Sequence, residues 1–297
     1  MIYSILLLAV FFELFSCINP SEKNRQPAVN ISVSAIGYDL SRPDQAIPLP
    51  GVLKEVSGIT LFDPLNVACV QDENGMIFLV DIVKGKLNGY FSFHSIGDYE
   101  GITLAGNDIY VLRSDGELFQ VLIEGSSGSL KKIFSVGIPP LDNEGLCYDR
   151  KNNRLLIVAK NSPGKDSDSR GKHPVYGFDL NSEVLVEGPV LTFDISEIKK
   201  FAADKNIKPS EGEGKINFRP SAMGIHPVTN KLYVLSALEK MLFVFNMNGN
   251  IEYIEKLNPA LYDMPEGITF LPNGDMLISN EGRINPPTIL RFNYKAK

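Results

Sequence analysis

Histidine and cysteine are scarce in this 297-residue chain, three of each, and no two histidines lie close together in sequence. A paired-histidine zinc motif is therefore unsupported. No Gly-x-Ser-x-Gly segment occurs and no phosphate-cradling glycine loop, so neither a serine-nucleophile elbow nor nucleotide hydrolysis has a signature here. Basic residues are outnumbered, 29 Lys and Arg against 35 Asp and Glu, for a net charge of −6. That balance offers no general attraction to nucleic acid or anionic lipid, and a nucleic-acid partner is not expected. Long apolar runs are missing too: the main one, residues 2–12, is too short to span a bilayer and has the length of a signal-peptide core. Hydrophobic residues at 44% and charged residues at 22% describe an ordinary folded protein.

What the chain does have is a recurring phrase. Val56-Ser57-Gly58-Ile59, Tyr99-Glu100-Gly101-Ile102, Asn143-Glu144-Gly145-Leu146, Ala222-Met223-Gly224-Ile225 and Pro265-Glu266-Gly267-Ile268 place their glycines 43, 44, 79 and 43 residues apart. A period of about 40–50 residues marks propeller arrays. After each phrase come short apolar, β-branched and aromatic runs bounded by Asn, Asp, Gly and Pro, which read as strands joined by hairpin turns, four per unit. One such sheet leaves both faces uncovered, so the units must stack around an axis. The expected fold is all-β, a propeller of five four-stranded blades, with six as the alternative if the long third interval hides a degenerate blade. A β-sandwich with accidental self-similarity is the competing architecture.

The third interval already contains strand-like text for a full unit, so the remainder reads as an insertion. Residues 196–205 suit a short helix capped by Ser196, followed by an acidic loop over 209–214. The N-terminal run 29–36 is expected to supply the outer strand of the last blade, closing the ring and removing exposed edges. The division expected is a lipoprotein-type signal peptide over 1–16, a polar tether over 17–28 and one propeller domain over 29–297. Leu14-Phe15-Ser16-Cys17 resembles a bacterial lipobox, with Cys17 as the lipidated residue, although no Lys or Arg precedes the apolar run and Glu13 interrupts it. A non-lipidated secretory signal or a signal anchor is the alternative. Cys69 and Cys147 fall in apolar strand text at non-equivalent repeat positions, which favours buried free thiols over a disulfide.

Residues just before an innermost strand surround one mouth of the central channel, and equivalent positions meet there. Glu100, Glu144 and Glu266 are in phase, while Ser57 and Met223 hold the same slot in the other two units. Converging carboxylates repel unless protonated, solvated or joined by a cation, and their oxygens suit Ca²⁺ or, less well, Mg²⁺. The competing role is structural, each Glu accepting hydrogen bonds from a neighbouring blade. A further polar set, Glu55, Asp72, Glu73, Asp115, Asn161, Asn280 and Glu281, would join a ligand-binding funnel if it shares that mouth; otherwise these are turn residues. Asp166-Ser167-Asp168-Ser169-Arg170-Gly171 begins like a calcium loop, but Arg170 stands where a third acidic ligand belongs. His94, His173 and His226 occupy unrelated repeat positions, and His226 reads as a turn or surface residue.

The ordered motifs Leu53-Lys-Glu-Val-Ser-Gly-Ile-Thr60, Asp98-Tyr-Glu-Gly-Ile-Thr103, Asn143-Glu-Gly-Leu-Cys147, Pro220-Ser-Ala-Met-Gly-Ile-His-Pro227 and Pro265-Glu-Gly-Ile-Thr-Phe270 resemble the SdiA-regulated (YjiK-like) β-propeller family over about residues 37–294. The resemblance implies an exported or cell-envelope propeller and no particular reaction. By analogy with calcium-bearing propellers it implies Glu100, Glu144 and Glu266 as inner-ring ligands, with Met223 and Ser57 interrupting the ring. Two functions follow. One is a monomeric envelope lipoprotein, anchored through Cys17 and facing periplasm or exterior, that holds calcium and a polar ligand or protein partner without turnover. The other is a calcium-dependent hydrolase of lactonase or phosphoesterase type, with Glu144 or Glu266 as base. The acid-rich mouth, without Lys or Arg in the phrase positions to hold a phosphoester, favours binding.

Overall fold

The computed structural model describes residues 35–124, 127–138, 142–162, 171–208 and 216–296. Five four-stranded antiparallel sheets follow one another along the chain. The first blade comprises β2 (Val56–Leu61), β3 (Asn66–Gln71), β4 (Met76–Asp81) and β5 (Leu87–Ser92). The second comprises β6 (Tyr99–Ala105), β7 (Asp108–Arg113), β8 (Glu117–Glu124) and β9 (Ser127–Ser135). The third holds β10 (Asn143–Asp149), β11 (Arg154–Ala159), β12 (Lys172–Asp179) and β13 (Val184–Asp194), and the fourth β14 (Ala222–Ile225), β15 (Leu232–Ser236), β16 (Met241–Phe245) and β17 (Ile251–Lys256). In the fifth, β18 (Pro265–Phe270), β19 (Met276–Asn280) and β20 (Thr288–Phe292) are completed by β1 (Gln45–Pro48) from the start of the domain. The count is five, and the long interval holds no sixth blade among the described residues.

Burial follows from stacking. β15, β16 and β19 are buried at every position, as strands covered on both faces must be, whereas the outer strands β5 and β17 show mixed exposure. Five apolar clusters fill the five gaps between blades. Phe193, Phe243 and Phe245 lie in the gap between the third and fourth blades, and Tyr38, Tyr262 and Phe292 in the next. The inner strands β2, β6, β10, β14 and β18 each touch the next, and β18 touches β2 again, which closes the ring.

Two local expectations change. The closing outer strand is β1, pairing Ala46 with Leu290 and Ile47 with Ile289, not 29–36. Residues 29–34 lie outside the described part and 35–36 lie in a turn; the residues between that turn and β1 are anchored by Tyr262, whose hydroxyl donates to the Leu40 carbonyl at 2.8 Å. The inserted helix is α1 (Ile195–Asp204), and its cap is Asp194, which accepts from the amides of Ser196 and Glu197, so Ser196 is inside the first turn. A carboxylate at the cap satisfies two orphan amides and complements the helix dipole. Ile198 and Ala202, one turn apart, bury that face against the cluster between the third and fourth blades. Cys69 and Cys147 are buried free thiols, and burial pushes both well above the ordinary thiol range. Cys17, the leader and tether, the 209–214 loop and residues 166–170 of the calcium-like segment fall outside the described residues.

Candidate functional site

The recurring phrase is a β-bulge. In β2, β6, β10 and β18 the pairing register jumps across one residue, so that Ser57, Glu100, Glu144 and Glu266 have no partner on the adjacent strand. A bulge re-aims the extra side chain and twists the strand, which brings these four residues to the channel instead of into an inter-blade core. β14 carries no bulge: Met223 pairs in register with Val234 and is buried at 2% exposure. The glycine after the bulge is required by the neighbouring inner strand. A Cβ on Gly101 would stand 2.7 Å from the Leu146 Cβ and 2.9 Å from the Glu144 carbonyl oxygen, and one on Gly267 would stand 3.0 Å from the Ile59 amide nitrogen. Hydroxyls stitch the ring at the same level: Ser57 donates to the Tyr99 carbonyl at 2.6 Å and Ser221 to the Pro265 carbonyl at 3.3 Å.

Because each second strand runs back antiparallel, the residues after it return to the mouth that holds the glutamates. The Tyr99 amide donates to the Asp72 carbonyl, the Ser114 amide to the Asp98 carbonyl and the Glu281 amide to the Met264 carbonyl. The polar set therefore shares one end of the channel. Its members are used differently. Asp115 is taken by Arg113. Asn280 is 3% exposed and donates to Thr288, leaving its carbonyl oxygen without a partner. Asn161 and Glu73 face solvent. Asp72 has one oxygen buried without a partner, and burial, then Glu55, Glu281 and Glu73, push its carboxyl up to about 6.

The three glutamates line one small void but take different partners. Glu100 meets Asp98 and Asp142, one oxygen from each lying within 4.8 Å of the others. Burial, then Glu144 and Asp98, raise Glu100 to about 9. Glu144, 4% exposed, hydrogen-bonds Lys160, which also lies 3.7 Å from Asp142. Burial nevertheless raises Glu144 to about 7 against the pull of that lysine. Burial opposes the charge on Lys160, but its hydrogen bond to Glu144 and the charges of Asp142 and Glu266 hold its proton more tightly than usual. Glu266 stands well above the carboxylate range because of burial and because it faces the carboxylate of Glu281. The mouth is thus acid-rich, and Lys160 reaches its Glu144.

Between Glu100, Glu144 and Glu266 on one side and the inner-strand apolar residues on the other, the channel narrows to about 10 Å³ of free space, room for one water or ion. Ile59, Ile102, Leu146, Met223 and Ile268, one from each blade, form an apolar collar that borders both this void and a wider funnel of about 600 Å³ at the opposite end. The histidines are remote from the glutamates in role. His94 contacts the Tyr99 hydroxyl and His173 bonds the Ala159 carbonyl. His226 is fully buried rather than at the surface; its Nδ1 accepts from the Val228 and Thr229 amides, capping the turn.

Comparison with known proteins agrees with this architecture. The profile of the SdiA-regulated family matches residues 32–284. The chain belongs to the SdiA-regulated family. A search of curated proteins returns no match. Among solved structures, the glutaminyl cyclase of Myxococcus xanthus is similar in fold, with a TM-score of 0.58 at 11% identity over 86% of this chain and 97% of that one. A putative oxidoreductase (glucose dehydrogenase) from Thermus thermophilus aligns with a TM-score of 0.48 at 10% identity over 84% and 99%.

In this SdiA-regulated propeller three functional candidates escaped the reading of the repeat. Asp98 and Asp142 sit two residues before the bulge glutamates, at the place of Glu55 in the first blade, so the phrase itself, extended by one residue, carried that signal. Lys160 had no such signal. It follows β11 and is brought to Glu144 by the hairpin, its amide donating to the Asp142 carbonyl at 2.7 Å.

Proposed function

We propose that this SdiA-regulated propeller is a cell-envelope binding protein that holds a divalent cation, calcium by donor chemistry, at its acidic channel mouth and presents the loaded mouth to a polar ligand or protein partner without turnover. The observation that carries the reading is the approach of Asp98, Glu100 and Asp142 oxygens within 4.8 Å of one another, on two adjacent blades, in a mouth where Glu100 is raised to about 9. Burial raises it most, and a hard cation would offset that cost together with the repulsion from Glu144 and Asp98; three carboxylates with solvent on the Asp98 side fit an oxygen-ligated ion that keeps some water. Glu144 and Glu266 would border the ion from the channel side. The Ser57 and Ser221 hydroxyls both donate to backbone carbonyls of the next blade, so they brace the ring. The envelope location and the lipid on Cys17 rest on the leader sequence.

One observation favours a second reading. Glu144, raised to about 7 and hydrogen-bonded to Lys160, is poised as a general acid–base group near neutral pH, as the calcium-dependent lactonase or phosphoesterase alternative needs.

The test is thermal unfolding of residues 19–297 in EDTA, Ca²⁺ and Mg²⁺, beside D98N/D142N. A ligand that binds only the folded state raises its stability by about 2.7 kcal/mol at a hundredfold excess over Kd. A Ca²⁺-dependent rise that the variant loses is the expected result; equal melting in all three conditions overturns the cation. Turnover of lactones or phosphoesters that needs Ca²⁺ and Glu144 would replace the first reading by the second.

A further inference from the structure

The end of the channel away from the glutamates is a second site in its own right. The funnel of about 600 Å³ lies within the ~300–1,000 Å³ typical of small-molecule pockets. Its floor is the apolar collar, and its wall includes Phe62 and Leu104, which pack only partly on the core between the first two blades, together with Tyr148 and Phe270. Apolar side chains left half-covered inside a concave site lower the cost of desolvating an apolar guest. The hydroxyls of Thr60 and Thr269 are spent as acceptors for the Leu104 and Leu61 amides of the neighbouring blade, so they brace the wall.

The charge of the funnel is one-sided. It is lined by Asp149, Arg150 and Lys151 at the end of β10. Asp149 is buried and committed to Arg154 at 2.9 Å and to Asn152 at 2.7 Å. Arg150 and Lys151 are exposed and have no ion-pair partner among the described residues. His226, also in the lining, is neutral at physiological pH because burial lowers it to about 4. In a protein of net charge −6, two adjacent unpaired cations on the rim of an apolar pocket are a local reversal of sign, and they select for negative charge at the pocket entrance.

We infer that the wide funnel binds a small organic anion, an apolar or aromatic body seated on the collar with its acidic group held at the rim by Arg150 and Lys151. The collar separates this site from the acidic mouth, so occupancy here is independent of the cation proposed there.

Anilinonaphthalene sulfonate is the probe, with uncharged phenylnaphthylamine as its control, titrated by fluorescence into residues 19–297. The sulfonate is expected to bind saturably at one site. R150E/K151E, at exposed positions that leave the fold intact, should weaken the sulfonate roughly tenfold and the neutral control less than about twofold, since charge pairing at a rim is modest but specific. Leu104→Trp should fill the funnel and reduce both probes, with circular dichroism confirming the fold. E144Q/E266Q should change neither. Non-saturable binding, or sulfonate affinity unchanged by R150E/K151E, overturns the inference, and loss of binding in E144Q/E266Q would place the probe at the other mouth and overturn it equally.

Discussion

Replacing Glu100 by Gln should stabilise the protein in EDTA and abolish its response to calcium. Glu100 moves from the ordinary 4.5 to about 9, chiefly through burial and then through Glu144 and Asp98. A carboxyl raised in the folded state binds its proton more tightly there than in the unfolded chain, so its contribution falls as pH rises from about 4.5 to about 9 and is level above that. At pH 7 the unfolded chain has released this proton and the folded protein has not. The interval from 4.5 to 7, at ~1.4 kcal/mol for each pH unit, makes the penalty roughly 3 kcal/mol. Gln keeps the shape and removes the ionisation. In EDTA at pH 7, E100Q should therefore melt higher than the parent, by roughly 5–10 °C for a domain of this size. The gap should narrow toward pH 5 and widen toward pH 9. Saturating Ca²⁺ should raise the parent and leave E100Q where it was. Calorimetry across pH 5–9 with and without Ca²⁺ measures all of this. If E100Q is neutral or destabilising in EDTA throughout, Glu100 is a hydrogen-bonded carboxylate satisfied by the ring, and the charge argument is refuted.

The remaining expectations address other parts of the ring. Lys160→Met leaves the buried Glu144 carboxyl without its cation, so a loss of about 2 kcal/mol is expected at pH 8 and less at pH 5, where the carboxyl is protonated; urea unfolding at the two pH values checks it, and a pH-independent loss would count against the pairing. His226, lowered from 6.5 to about 4 by burial, remains neutral in the fold while the unfolded chain takes up a proton, so stability is lost as pH falls from 6.5 toward 4. The advantage of the parent over His226→Gln should shrink by roughly 3 kcal/mol over that window, and a constant gap would refute the assignment. Gly101→Ala drives a methyl to 2.7 Å from Leu146 and should cost about 1–3 kcal/mol as overpacking, read as a lower urea midpoint with unchanged slope. Cys17→Ser should abolish labelling by radioactive palmitate in cells and release the protein from membranes; persistence of the label would sink the lipobox reading.

Much of the architecture was legible because a propeller writes its geometry into the repeat. Gly58, Gly101, Gly145, Gly224 and Gly267 recur because the adjacent inner strands approach to where a side chain would be, so the spacing of one residue type reports blade number and phase. Helix α1 was visible through Ile198 and Ala202, but its cap was misplaced by two residues because Asp194 and Ser196 are both good caps and only the path of β13 decides between them. The closing strand was misassigned for a related reason. Residues 29–36 are richer in β-branched side chains than Gln45–Pro48, yet the outer strand of a blade needs only one apolar face, and pairing with β20 selected the less apolar segment.

The site divides along the same line. The in-phase positions of Glu100, Glu144 and Glu266 are a property of the sequence, as are the absence of a catalytic signature and the family pattern. Which acids meet is a property of the fold. The bulges in β6, β10 and β18 turn the glutamates toward the channel, the return of β11 brings Lys160 to Glu144, and the neighbouring blade sets Asp142 beside Asp98 and Glu100. The sequence lists charges along one dimension with their local propensities. Burial and mutual repulsion depend on distances between blades more than 40 residues apart, and those distances exist only once the ring has closed.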